Sequence, residues 1–139
     1  MCGVIGKITN KDSGISEGLS AISHRGPDAN SEIQFKVGNK VFYLGHSRLS
    51  IIDLDQRSNQ PFSVLNRYYL SFNGEIYNFK ELRKRLVEFQ FKTNSDTEVL
   101  IYWLIKYGGD NLNEIQGMFS FCFYDKETNE IILGRDQLG

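Results

Sequence analysis

Residues 118–124 read Met-Phe-Ser-Phe-Cys-Phe-Tyr, and this run decides the fold class. In a strand its side chains alternate, with Phe119, Phe121 and Phe123 on one face and Met118, Ser120, Cys122 and Tyr124 on the other. Both faces are largely apolar, as expected of a strand covered on both sides inside a layered core. Cys122 therefore reads as packing, and so does Trp103 in its apolar helix.

Working outward, similar short runs rich in β-branched and aromatic residues occur at Gly3–Thr9, Ser31–Val37, Lys40–His46, Tyr68–Phe72 and Glu130–Gly134. Gly, Asn and Asp separate them. Val37-Gly38-Asn39-Lys40 reads as a tight hairpin, with Gly-Asn supplying the positive φ angles, and a second hairpin is expected at Asp125–Asn129. Helical patterns lie between the strands. Asn78 can cap a helix carrying Phe79, Leu82, Leu86 and Phe89 on one face. Ser95-Asp96-Thr97-Glu98 fits a capping box ahead of a second helix that Gly108-Gly109 ends. A shorter helix is expected from Ser16 to Ile22. Antiparallel strands with helices set between them predict an α+β layered domain. The last strand pattern runs into residues 134–139 without a closing element, so a domain lacking its final strands is expected.

Size and charge exclude several functions. A chain of 139 residues suits one domain. The net charge of -1 gives no electrostatic reason to expect nucleic acid or an anionic membrane as partner. Lys80, Arg83, Lys84 and Arg85 read as a solvated helix face. The two cysteines, Cys2 and Cys122, belong to no CxxC pair or Cys/His array, which argues against a disulfide framework or a zinc site. No leader pattern and no run approaching roughly 18 apolar residues is present, so the reducing cytoplasm is the expected compartment.

Cys2 is the residue whose position carries chemistry. Removal of Met1 exposes a thiol and a free α-amine on one residue, and an α-amine titrating near ~8 can take the thiol proton at neutral pH. Nucleophile and base then come together without a histidine. Attack on an amide carbonyl creates an oxyanion that needs donors, and Asn73-Gly74, after the strand at Tyr68–Phe72, offers a carboxamide and a backbone N–H. Taken alone, that dipeptide reads first as a turn ending a strand. Arg48 offers a fork for a carboxylate, or is an ordinary ion-pair residue. Glu75 and Asp96 can hold an ammonium, although Asp96 also suits the positive end of its helix. His24 and His46 raise a third arrangement, a Cys–His hydrolase, but neither has a companion motif for it.

Six motifs occur in order: MCGVIG at 1–6, HRGPD at 24–28, HSRLSI at 46–51, NGEIYN at 73–78, SDTEV at 95–99 and GRDQLG at 134–139. Together they resemble the glutaminase domain of class II glutamine amidotransferases over the whole chain, 1–139, and most of all that of the glutamine-hydrolysing asparagine synthetases. The resemblance implies an N-terminal-nucleophile hydrolase fold of two stacked antiparallel sheets between helical layers. It implies Cys2 as nucleophile, with Asn73 and Gly74 as the oxyanion hole. Arg48 would bind the glutamine carboxylate, backbone of Leu49, Ser50, Ile51 and Ile52 would line the pocket, and Glu75 and Asp96 would hold the amino end. His24 and His46 fall in structural segments of the family. The implied reaction is hydrolysis of L-glutamine to glutamate and ammonia through a cysteinyl thioester. No cofactor is implied for this step. ATP and Mg2+ belong to the synthetase domain that receives the ammonia, and a homodimer is one assembly open to the chain, whose oligomeric state the sequence does not give. Amidation of another carboxylate, such as a sugar acid, shares these motifs. A catalytically silent glutamine-binding or regulatory module is the alternative from a different class.

Overall fold

The computed structural model describes residues 2–49 and 59–138. The chain runs β1 (Gly3–Thr9), α1 (Ser16–Ile22), β2 (Ala29–Val37), β3 (Lys40–Arg48), β4 (Phe62–Val64), β5 (Tyr68–Ile76), α2 (Phe79–Lys84), α3 (Asp96–Tyr107), β6 (Gly117–Asp125) and β7 (Glu130–Arg135). The strands form two antiparallel sheets, ordered β1-β3-β2 and β4-β5-β6-β7.

Three apolar clusters show how these sheets stack. Phe35, Phe42 and Leu44 of the first sheet meet Tyr69, Cys122 and Tyr124 of the second. The Phe35 and Phe42 rings lie 4.6 and 5.1 Å from that of Tyr124, contacts worth about 0.5–1.5 kcal/mol each beyond the area they bury. On the outer face of the second sheet, Phe72, Phe119, Phe121 and Phe123 pack under α3, whose Val99, Leu100, Ile101 and Trp103 have no exposed surface. On the outer face of the first sheet, α1 contributes Leu19 against Tyr43. The result is helix, sheet, sheet, helix, the α+β arrangement expected from residues 118–124, whose two faces do serve two different cores.

Local chemistry explains most element boundaries, and some of them differ from the sequence reading. The Ser95 hydroxyl accepts the Glu98 N–H at 3.3 Å, as expected of a cap. The return half of the box is absent, because the buried Glu98 carboxylate instead takes the N–H groups of Lys92 and Thr93. Asn78 does not cap α2 with its side chain. Its carboxamide bridges the Glu114 carbonyl and the Gln116 N–H, tying α2 to the approach of β6. α2 closes at Lys84, so Leu86 and Phe89 reach the core from the turns beyond it. In the β2–β3 hairpin only Gly38 has a positive φ; Asn39 does not. Of the basic residues expected on a solvated face, Arg83 donates to the Thr93 carbonyl at 3.0 Å, and Arg85 pairs with Glu114 and lies 4.8 Å from the Trp103 ring centroid. The short strand β4 was not anticipated; Leu65 and Asn66, both at positive φ, turn it into β5.

Candidate active site

The site begins at the chain terminus. Gly3 pairs with Ser47, so Cys2 stands at the end of edge strand β1, beside the end of β3. Its thiol accepts the Leu49 N–H at 3.3 Å and faces the Leu49 carbonyl at 3.6 Å. The motif at 24–28 holds this corner together. Arg25 Nε donates to the Cys2 carbonyl at 3.2 Å, and the Asp28 N–H donates to the Arg48 carbonyl at 3.0 Å. Between them Gly26 lies flat on β3; a Cβ there would sit 2.2 Å from the Ser47 carbonyl oxygen. Any side chain at 26 would collide with the β3 backbone at Ser47 and Arg48 and displace this corner.

Arg48 is buried and its guanidinium donates to Asn59 Oδ1. Two residues earlier, His46 is fully buried on the inner face and links the sheets, donating from Nε2 to the Phe72 carbonyl at 3.0 Å. Burial, with the Arg48 charge adding, pushes its imidazole down to about 4, so it stays neutral at physiological pH. This bond pins the Cys2–Arg48 end of the first sheet against the part of β5 that leads into Asn73.

Asn73 and Gly74 do not follow β5 as a turn; they lie within it, opposite Ser120 and Phe119. The strand continues because Gly74 takes a φ of +146°, and a Cβ there would be 2.1 Å from the Met118 carbonyl oxygen. The direction of its N–H follows from its neighbours. Phe119 gives its own N–H and carbonyl to Asp136, on the β7 side, so Phe119 and Gly74 form a pair without mutual hydrogen bonds. The Gly74 N–H therefore turns away from β6. On that side of β5, Gln60 takes the Phe72 N–H and Asp96 takes the Ile76 N–H, and Gly74 faces the gap between them. The Asn73 carboxamide oxygen is buried without a hydrogen-bond partner among the described residues.

Asp96 is buried and accepts from the N–H groups of Ile76 and Thr97 at 3.0 and 2.9 Å. Desolvation raises its carboxyl above the ordinary range, and the nearby Glu75 charge adds to this. A bound ammonium would relieve both effects. Glu75 itself is exposed.

The structure thus gathers Cys2, Arg48 and Leu49 at one corner and Asn73, Gly74, Glu75 and Asp96 along the end of β5. Ser50, Ile51 and Ile52 lie outside the described residues. The two histidines do not form a Cys–His pair: His24 is exposed and bonds the Ala21 carbonyl, and His46 is committed to Phe72. Cys122 is buried, with its thiol pushed up to about 11 by desolvation, which suits packing and not nucleophilic attack. A cavity of about 820 Å³ opens beside Asn73 and Gly74, lined further by Ser120, Arg135 and Asp136. Asn59, Gln60 and Asp136 were not anticipated as parts of the site. Only the position of Asp136 in a quoted motif signalled it, since residues that act on backbone groups leave no periodic or compositional trace.

Two face-to-face antiparallel sheets with helices outside both, and Cys2 beside an edge strand, form the layered architecture of the N-terminal-nucleophile hydrolases. The solved structure of glutamine phosphoribosylpyrophosphate amidotransferase from Bacillus subtilis, complexed with ADP and GMP, shares this fold. Its TM-score is 0.73 at 24% identity, over 98% of this chain and 37% of that one. The chain belongs to the glutamine amidotransferase domain family, whose model matches residues 1–139. It is 34% identical to the glutamine-hydrolysing asparagine synthetase B of Escherichia coli over 146 residues, which is all of this chain and 26% of that protein. Against the glutamine-hydrolysing asparagine synthetase 2 of Bacillus subtilis it is 42% identical over 122 residues, covering 86% of this chain and 15% of the relative. The chain spans less than a third of the length of these relatives.

Proposed function

We propose that residues 1–139 are a glutaminase domain that hydrolyses L-glutamine to glutamate and ammonia, with Cys2 as nucleophile. The observation that carries this reading is the Cys2 thiol held at Leu49, next to buried Arg48, at the end of the sandwich where Asn73 and Gly74 lie.

Once Met1 is removed, the α-amine of Cys2 takes the thiol proton. The sulfur attacks the side-chain carboxamide carbon, and the oxyanion meets the Asn73 Nδ2 and the Gly74 N–H. Collapse breaks the C–N bond and expels ammonia, which carries off the proton held by the α-ammonium, leaving a glutamyl thioester. Water gives its proton to the same amine and attacks the thioester; glutamate departs and the thiol is restored. Arg48 holds the substrate carboxylate, the backbone at 49–52 lines the pocket, and Asp96 with Glu75 holds the ammonium. The glutaminase half needs no cofactor. The names of the curated relatives favour an asparagine-forming synthetase domain as recipient of the ammonia, and ATP and Mg2+ would serve that domain. The reducing cytoplasm keeps such a thiol active.

The test is glutamate release from glutamine by the Met1-processed chain. Cys2→Ala abolishes it and Cys122→Ala retains it; equal activity in the two variants overturns the assignment. Glutamine binding without glutamate release by the processed wild type marks a silent module instead.

A further inference from the structure

Strand β4 covers only part of β5: Phe62, Ser63 and Val64 pair with Leu70, Tyr69 and Tyr68. Extending that register places Gln60 opposite Phe72. Pro61 has no N–H to continue the ladder, and β4 begins after it. Past the end of β4, the Phe72 N–H and carbonyl would be exposed edge groups inside a covered layer. Both are taken by side chains. Gln60 Oε1 accepts the N–H at 2.5 Å, and His46 Nε2 donates to the carbonyl at 3.0 Å. Both side chains are buried, and the Gln60 carbonyl is itself bonded by the Ser31 hydroxyl of β2. His46 Nδ1 has no partner among the described residues, which leaves Phe72 as the ring's hydrogen-bonding contact there.

Phe72 is the residue before Asn73. Its N–H and carbonyl belong to the two peptide groups that flank it, and their orientation sets the direction in which the Asn73 side chain and the Gly74 N–H leave the strand. We propose that Gln60 and His46 are positioning residues for the oxyanion hole. They stand in for the missing stretch of β4 and lock the two peptide groups flanking Phe72, so that the two donors are aimed before glutamine arrives. Asn59, adjacent to Gln60, accepts from Arg48, so one dipeptide touches the support of both the carboxylate fork and the oxyanion strand. The inference rests on the glutaminase reading above and adds residues that touch neither substrate nor nucleophile.

The two contributions separate kinetically. A donor aimed at the oxyanion acts on the transition state, whereas the grip on the substrate's α-groups acts on the ground state equally. Gln60→Met keeps the volume and removes the acceptor. We expect kcat for glutamine to fall on the order of 100-fold, the loss typical of a donor misplaced by about 1 Å, with KM changed by no more than about twofold. Glutamate γ-semialdehyde forms a tetrahedral adduct with the thiol and should lose affinity by the same factor as kcat. Product glutamate, which makes no oxyanion, should bind as to the wild type. Gln60→Glu, which retains an acceptor for the Phe72 N–H, should recover most of the lost kcat, and it serves as the reporter if Gln60→Met does not fold. Equal losses of aldehyde and glutamate affinity, an unchanged kcat in Gln60→Met, or a Gln60→Glu variant no more active than Gln60→Met would overturn the proposal. Failure of the underlying reading looks different: the wild type would release no glutamate and form no aldehyde adduct on Cys2.

Discussion

Acidification should loosen this domain through one buried ring. His46 has no exposed surface, lies between the two sheets, and is held near about 4 where an unfolded histidine titrates at 6.5. The unfolded chain therefore binds a proton between these values that the folded chain refuses. Stability from this group is complete above pH 6.5 and is lost as pH falls toward 4. Each unit of difference is about 1.4 kcal/mol, so the full effect is about 3.5 kcal/mol, and about 2.5 kcal/mol of it falls between pH 7 and 4.5. Asp125, pushed down to about 2 by its paired Arg67, loses its contribution only below the ordinary carboxylate range, and Asp96, raised by burial, acts in the opposite sense. The clean measurement is a difference. Urea unfolding of the wild type and His46→Gln should be compared at pH 7 and 4.5, because glutamine can still donate to the Phe72 carbonyl without titrating. The wild type should lose about 2.5 kcal/mol more than the variant. Parallel losses would show that His46 is not held neutral by burial between the sheets, and the reasoning about this ring would fail.

Three other outcomes follow from the site. Gly74→Ala must place a Cβ against the Met118 carbonyl at a φ that side chains rarely adopt, so denaturation should show a loss of at least about 1–3 kcal/mol together with glutaminase activity; a stable, active variant would refute the close approach. Arg48→Lys replaces a fork by a point charge and should raise the KM for glutamine about tenfold or more while changing kcat less, read from steady-state kinetics. Iodoacetamide at pH 8 should add one group to the native chain, at Cys2, and two after unfolding, because burial keeps the Cys122 thiol protonated and covered; intact-mass spectra showing two native adducts would contradict this.

Much of the architecture was legible without coordinates, because it follows from side-chain period. Alternation at 118–124 with both faces apolar requires two covers, and the Ser95 and Gly108 signals bound α3 where the structure has it. Signals that depend on which partner competes were read less well. Asn78 and Glu98 carry good capping chemistry, yet backbone groups brought in from Gln116, Lys92 and Thr93 captured them.

The same division runs through the site. The sequence by itself determined which residues have suitable chemistry: a thiol beside an α-amine, a guanidinium, a carboxamide followed by glycine, and a carboxylate at a helix start. Tertiary structure alone decided their geometry. Whether Asn73-Gly74 is a turn or part of a strand depends on how closely β6 approaches, and a glycine permits either. That His46 is a neutral strut and not a catalytic base depends on its burial against Phe72, a contact between residues 26 apart in the chain. Gln60 had no signal at all, because its role is to satisfy one backbone N–H past the end of a short strand, and hydrogen bonds to backbone are blind to the identity of the residue they hold.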